Sequence, residues 1–454
     1  MPKRWTLLFT AITRRTIIFA ANRFKSTRNK ISLMMVTIPL VVIALSCGGE
    51  QDKPTVPPDD VTLTLNIAPL KPIPANQPFS FIVYGDPREN VSVHKQLIET
   101  FFIEKDANDI AFIVNTGDLV KHGFEKQEWK NYFIDVVQPI TATVPYFAAL
   151  GNHDYGELGA CDNFSEVFST YYKNCDFWYS FVYGNSIFII LDANLMTHDK
   201  EFNFPKERAE RQYYWLEKTL ESTSSDTKIK HKFIFFHEAP FISAEKLVFG
   251  LVTYHLDHAE TLRKYQIGDN FFLDIFRQYD VDAVFLGHVH YYERWVEQYE
   301  RDSNQRQITW VTSGGGGAKN EIEWEGVTLA LRPPTVLTEE EKNKRISHYN
   351  QRAESAEDIA NWSLFQGYPT QDSEAVGGAL EKQYCIVHVD GDSVWMEVKN
   401  TERDVIESAT IKENGIPRKL TFVEVGDAID TKGERRRTAL QTGIAGELKS
   451  QQMQ

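Results

Sequence analysis

Between residues 79 and 290 one pattern recurs: a short apolar run, bounded by turn residues, ends in an Asp, Asn or His. The runs are FSFIVYGD (79–86), IAFIVNTGD (110–118), VPYFAALGNHD (144–154), SIFIILD (186–192), HKFIFFHEAP (231–240) and VDAVFLGHVH (281–290). Runs this short and this uniformly apolar fit strands buried on both faces. Amphipathic, helix-like stretches lie between several of them: 91–105, 125–140, 205–222 and 268–280. Strands alternating with helices predict an α/β domain with a largely parallel sheet. In such sheets functional groups collect beyond the carboxyl ends of the strands, where these polar clusters lie.

The clusters offer Asp86, Asp118, Asn152 with His153 and Asp154, His237, and His288 with His290. Asp192 also ends a run but has no evident partner. Oxygen and imidazole donors suit hard or borderline divalent ions such as Mn, Fe, Zn or Mg. Taken singly each is weak, because an Asp at a strand end is often a helix cap and a His-x-His pair often straddles a strand. The combined order, D…GD…GNHD…H…GHVH, is far more specific. The glycine run at 314–317 is no phosphate loop, since no Gly-Lys-Ser/Thr follows it.

GD (85–86), NTGDLV (115–120), GNHD (151–154), FFHEAP (235–240) and GHVHYYER (287–294) resemble the calcineurin-like metallophosphoesterases. The last motif is most similar to the purple acid phosphatase branch. The resemblance implies a four-layer α/β/β/α sandwich of two mixed sheets, with a dinuclear metal site at the strand C-terminal ends. It implies that Asp118 bridges two divalent ions. Asn152, His237 and His288 would complete the second ion, while Asp86 and His290 would bind the first. His153 would face the scissile phosphate as proton donor or transition-state stabiliser, with Asp154 orienting its imidazole.

The chain departs from the family pattern twice. The usual Gly-Asp-x-His has Arg88 in place of its metal-binding His, and Lys121 stands where purple acid phosphatases carry an iron-binding Tyr. No purple chromophore is expected. The first ion keeps three protein donors, unless His122 or His94 is recruited. Arg88 is expected either to contact a substrate phosphate or to pair with a nearby carboxylate. Two function classes follow: a metal-dependent phosphoric ester hydrolase, or a catalytically inert metal-binding or scaffold protein retaining the fold. Tyr291, Tyr292 and Arg294 either wall the site or pack the outgoing strand. TYHLDH (253–258) either lines the pocket or is a solvated loop.

The rest of the chain is less specific. Residues 1–46 carry eight Lys or Arg and no acid, so the remainder of a chain of net charge −14 stands at −22. Such a body is not expected to bind a nucleic-acid polymer, and a phosphate-bearing substrate must be met by local positive charge. A basic stretch and a 16-residue apolar run (31–46) precede LSCGGE, which reads as an export signal with lipidation at Cys47. The alternatives are an ordinary signal peptide or a single anchor. Residues 47–60 read as a linker, 61–70 as an edge strand, and 61–400 as the phosphoesterase domain with an insertion at 320–380. Residues 401–454 read as an extension with a disordered tail. In an oxidising compartment Cys161 and Cys175 could pair, or stay separate thiols, and Cys385 reads as a buried free thiol.

Overall fold

The computed structural model describes residues 61–156, 161–169, 176–242, 251–318, 373–379 and 382–417. The leader with Cys47, the linker, residues 319–372 and the tail from 418 lie outside the described residues. The first sheet runs in the order β16 (Ile416–Pro417), β15 (Val405–Glu413), β14 (Ser393–Asn400), β13 (Gln383–Asp390), β1 (Phe79–Tyr84), β2 (Ile110–Asn115), β3 (Tyr146–Ala148). The second runs β12 (Ser373–Ala379), β10 (Tyr292–Arg301), β11 (Asn304–Ser313), β9 (Ala283–Leu286), β6 (His231–Phe235), β5 (Ser186–Ile190), β4 (Tyr179–Tyr183). A separate small hairpin pairs β7 (Gln266–Ile267) with β8 (Asn270–Phe271). The strands that carry the polar clusters, β1–β3 in one sheet and β6 and β9 in the other, run parallel within their sheets.

The uniformly apolar runs are explained by a period of two feeding two different cores. Phe81, Val83, Phe112 and Val114 of the first sheet meet Phe188, Phe233, Phe235 and Phe285 of the second between the sheets. Phe81 stacks on Phe112 at 5.3 Å and meets Phe188 edge-on at 5.2 Å, contacts worth roughly 0.5–1.5 kcal/mol each beyond simple burial. The alternate residues Ile82, Tyr84 and Ile113 face the helices Val91–Asn108 and Asp135–Thr141. Ile187, Ile189 and Ile234 face the helices Lys206–Ser224 and Leu251–Lys264 on the other side. The result is the expected four-layer α/β/β/α sandwich. Helix Val91–Asn108 begins where the Asn90 side chain accepts from the Val93 N–H and ends at Asp109 in the left-handed conformation.

Several local expectations change. Residues 61–70 form no strand: Leu63 is buried against the first helical layer and its N–H donates to Glu166. The alternation there reflects one side chain in two docking on helices. The first sheet continues past residue 400 through β15, and β12 falls inside the stretch read as an insertion, paired with β10. TYHLDH lies on a helix rather than a loop. Arg294 and Tyr292 pack the outgoing strand, both bonding Glu407 of β15. Cys385 is a buried free thiol; Cys161 is disulfide-bonded, and Cys175 lies outside the described residues.

His94 is not available to a metal. It sits fully buried in the first helical layer, with Nε2 3.0 Å from the Tyr84 hydroxyl, which in turn bonds Tyr146. Burial pushes its pKa down to about 3. The unfolded chain protonates this imidazole near its ordinary 6.5, so between those values the unfolded state binds more protons. Stability from this group is complete above about pH 6.5 and falls as the pH drops toward 3. Denaturant midpoints measured from pH 7 to 4.5 should therefore decline less steeply for His94→Gln than for wild type. The gap is at most about 1.4 kcal/mol per pH unit; identical slopes would contradict this assignment.

Candidate metal centre

The carboxyl ends of strands from both sheets bring the polar clusters together. Asp86 follows β1, Asp118 follows β2, and Asn152–Asp154 form a single tight turn after β3. His237 follows β6, and His288 and His290 follow β9. Three of these residues turn sharply: Asp86, Asp118 and His288 have φ of 57°, 58° and 70°. Each costs strain, on the order of 1–3 kcal/mol, that the surrounding contacts must hold. Two glycines make room. A Cβ on Gly287 would lie 2.6 Å from Asp86 Oδ2, and one on Gly151 would lie 2.3 Å from Asp118 Oδ1.

Asp86, Asp118 and His237 present ligand atoms all within 4.8 Å of one another, and all three residues are buried. His237 Nε2 lies 3.3 Å from Asp118 Oδ1. Its other nitrogen, Nδ1, donates to the Thr116 carbonyl at 2.9 Å, which fixes the ring and aims Nε2 at the carboxylates. Beside them the His288 Nδ1 and Asn152 Oδ1 are 3.2 Å apart, and the His288 N–H donates to Asp86 Oδ2 at 3.0 Å. Donor atoms about 3 Å apart are what neighbouring ligands show around an ion with bonds of ~2.1 Å. Asp86 Oδ1, Asp118 Oδ2 and His237 Nε2 are buried, and their near neighbours are the charged groups of this cluster: His290 at 3.6 Å, Arg88 Nε at 3.2 Å and Asp118 Oδ1 at 3.3 Å respectively. Buried polar atoms are nearly always satisfied, so ligand-type atoms gathered here with ion-pair contacts in place of well-formed hydrogen bonds fit a cation.

The electrostatics agree. Burial holds the Asp86 carboxyl well above the usual carboxylate range, only partly offset by His237. Burial would do the same to Asp118, but His237, His153 and Arg88 outweigh it and hold that carboxyl well below. Burial would depress His237, yet the Asp118 and Asp86 carboxylates raise it to about 10. A proton retained on Nε2 supplies the positive charge that an ion would supply.

Asp154 is placed differently from the role the resemblance implies. The His153 N–H donates to Asp118 Oδ1 at 2.9 Å, and its ring Nδ1 lies 2.8 Å from the Lys121 carbonyl. That carbonyl, not Asp154, orients the imidazole. The Asp154 carboxylate instead accepts from the N–H groups of Gly151, Asp118, Leu119 and Val120. It clamps the two ligand-bearing loops together and leaves nothing for the ring.

The first-ion side has a different occupant. Arg88 Nε lies 3.2 Å from Asp118 Oδ2, and Arg88 Nη2 lies 3.0 Å from His290 Nε2. His290 Nε2 is 3.6 Å from Asp86 Oδ1. Arg88 therefore pairs with a carboxylate, the second of its two expected roles. Neither proposed substitute ligand comes near: His94 is in the core, and His122 is half-exposed and paired with Glu128 at 2.8 Å. Lys121 pairs with Glu89. Asp86, Asp118 and His237 thus form the cluster that could hold an ion, with the His288–Asn152 pair beside it, while the Arg88 guanidinium lies against Asp118 and His290.

Three supporting groups were not assigned from the sequence. His258 Nδ1 lies 3.2 Å from His288 Nε2, which makes the TYHLDH segment part of the site's backing. The glycine run supports Asp86 through Gly316 N–H to the Gly85 carbonyl and Ala318 N–H to the Asp86 carbonyl. Asp192 holds Tyr155, next to the Asn152–Asp154 turn, at 2.5 Å.

The ligand assignment has a direct check. Asn152→Ala and His237→Ala should each weaken Mn²⁺ binding, measured by calorimetry, by more than the ~10–100-fold typical of losing a supporting partner. Their circular dichroism should match wild type. Unchanged affinity in both would remove these residues from the ligand set.

A family model for calcineurin-like phosphoesterases matches residues 79–292. Among curated proteins, the chain is 30% identical over 210 residues to the probable inactive purple acid phosphatase 24 of Arabidopsis thaliana, covering 43% of this chain and 31% of that protein. The chain thus spans less than a third of that relative's length. It is 23% identical over 290 residues to purple acid phosphatase 21 of the same plant, covering 62% of this chain and 58% of that protein. Among solved structures it superposes on GAP50, the anchor in the inner membrane complex of Plasmodium, with a TM-score of 0.47. Identity there is 14%, covering 79% of this chain and 99% of the other. Residues 79–292 are thus similar to the calcineurin-like phosphoesterase family, and purple acid phosphatases are among the proteins this chain resembles.

Proposed function

We propose that the chain is a metal-dependent phosphoric ester hydrolase. The observation that carries this reading is the buried cluster of ligand atoms on Asp86, Asp118 and His237, with Asn152, His288 and His153 beside it. Asp118, Asn152, His237 and His288 would hold the ion. A divalent ion bound there neutralises phosphate charge and lowers the pKa of a coordinated water toward neutrality. His237 is kept in the ligating tautomer by the Thr116 carbonyl. His153 has its Nδ1 proton committed to the Lys121 carbonyl, which leaves Nε2 to meet the leaving-group oxygen. Asp154 keeps the two loops in register, so that His153 stays beside Asp118. Export is part of the proposal, supported by the disulfide at Cys161 and the N-terminal sequence. A lipid anchor at Cys47 rests on the N-terminal pattern alone. No described helix is long and apolar enough to cross a membrane.

The scaffold reading draws on Arg88 beside Asp118 and His290, and on relatives named inactive. Turnover separates the two. Purified protein supplied with Mn²⁺, Zn²⁺, Fe²⁺ or Mg²⁺ in turn should hydrolyse a chromogenic phosphate mono- or diester. His153→Ala should lower kcat roughly 10²–10⁴-fold while leaving metal content unchanged. No turnover with any ion would reject the hydrolase and leave the scaffold.

A further inference from the structure

The family's two-ion arrangement does not fit this chain, and the misfit lies at one residue. The donors left for a first ion are Asp86, Asp118 and His290. Arg88 touches two of the three: Asp118 Oδ2 at 3.2 Å through Nε and His290 Nε2 at 3.0 Å through Nη2. The side chain is only 11% exposed, so this is a built-in position rather than a surface contact. A guanidinium has five donors and no lone pair, stays charged at any physiological pH, and cannot ligate a metal. Placed among these donors it takes up the oxygen and nitrogen lone pairs an ion would need. Its charge also opposes a divalent cation at the same spot.

We infer that the site takes one divalent ion, and that the Arg88 guanidinium serves as the fixed second cation. The inference rests on reading these strand ends as a metal centre. Asp118 then bridges unlike partners. Oδ1, beside His237 Nε2 and the His153 N–H, faces the ion, while Oδ2 faces the guanidinium. His290 changes role as well: it becomes a partner of Arg88 and Asp86 rather than a metal ligand. The backbone locks the arrangement, since the Arg88 N–H donates to the Asp118 carbonyl at 3.3 Å. The chain thereby retains two positive centres for a phosphate, one exchangeable and one permanent. This meets the need of a body with a net charge of −22.

Metal counting tests this without using activity. Wild-type protein saturated with Mn²⁺ and freed of excess ion should contain one Mn per chain by elemental analysis. Its electron paramagnetic resonance spectrum should be the six-line signal of an isolated ion. Arg88→His, which restores the family's Gly-Asp-x-His, should raise the count to two and produce an exchange-coupled spectrum. Two Mn per wild-type chain, or a coupled wild-type spectrum, would overturn the inference. So would a folded Arg88→His that stays at one ion, because Arg88 would then not be what excludes the second. If Arg88→His fails to fold, the wild-type count and spectrum still decide. A wild-type count of zero would instead remove the metal centre itself, and with it the hydrolase reading.

Discussion

Two carboxylates, Asp86 and Asp118, meet in a buried position where the edges of two sheets converge. Leaving both charged and uncompensated would cost far more than a domain's whole stability margin, so positive charge must be brought to them. The surrounding residues answer that demand. His237 and Arg88 lie against Asp118, and His290 stands beside Asp86. The same demand makes the place attractive to a divalent ion, and in turn to the phosphate such an ion would hold.

The fold serves this meeting point. Parallel strands in each sheet end on the same edge, and packing the sheets face to face through Phe81, Phe112, Phe188 and Phe235 sets those edges side by side. At the edge the backbone is under tension, with Asp86, Asp118 and His288 in left-handed conformations. What keeps it there is chiefly backbone hydrogen bonding. Asp154 gathers four N–H groups from two loops, and the glycine run closes over Asp86 from the second sheet. Aromatic packing therefore fixes the distance between the sheets, and the loop network fixes the ligands within it.

Much of this was legible in the sequence, for a physical reason. Strands buried on both faces must be apolar at every position, so β1, β2, β5, β6 and β9 stand out as runs. The ligand residues stand out because polar groups interrupt those runs at their ends. What stayed hidden depends on partners that carry no side-chain signature. The carbonyls of Lys121 and Thr116 orient His153 and His237, yet any residue type supplies a carbonyl. Asp154 bonds backbone rather than the imidazole, and nothing in GNHD distinguishes the two. The period-two alternation of residues 61–70 suits a strand as well as an extended segment docked on helices. Arg88 was visible as a departure, but only the distances to Asp118 and His290 show which groups it pairs with.

The claim on which all of this depends is that Asp118, Asn152, His237 and His288 surround a cation. Crystals grown with Mn²⁺ and measured at the manganese absorption edge locate the ion directly. A single strong anomalous peak about 2.1–2.3 Å from donor atoms of these four residues, with the Arg88 guanidinium still beside Asp118, is the expected result. No peak among these residues, or a peak seated on other side chains, would contradict it.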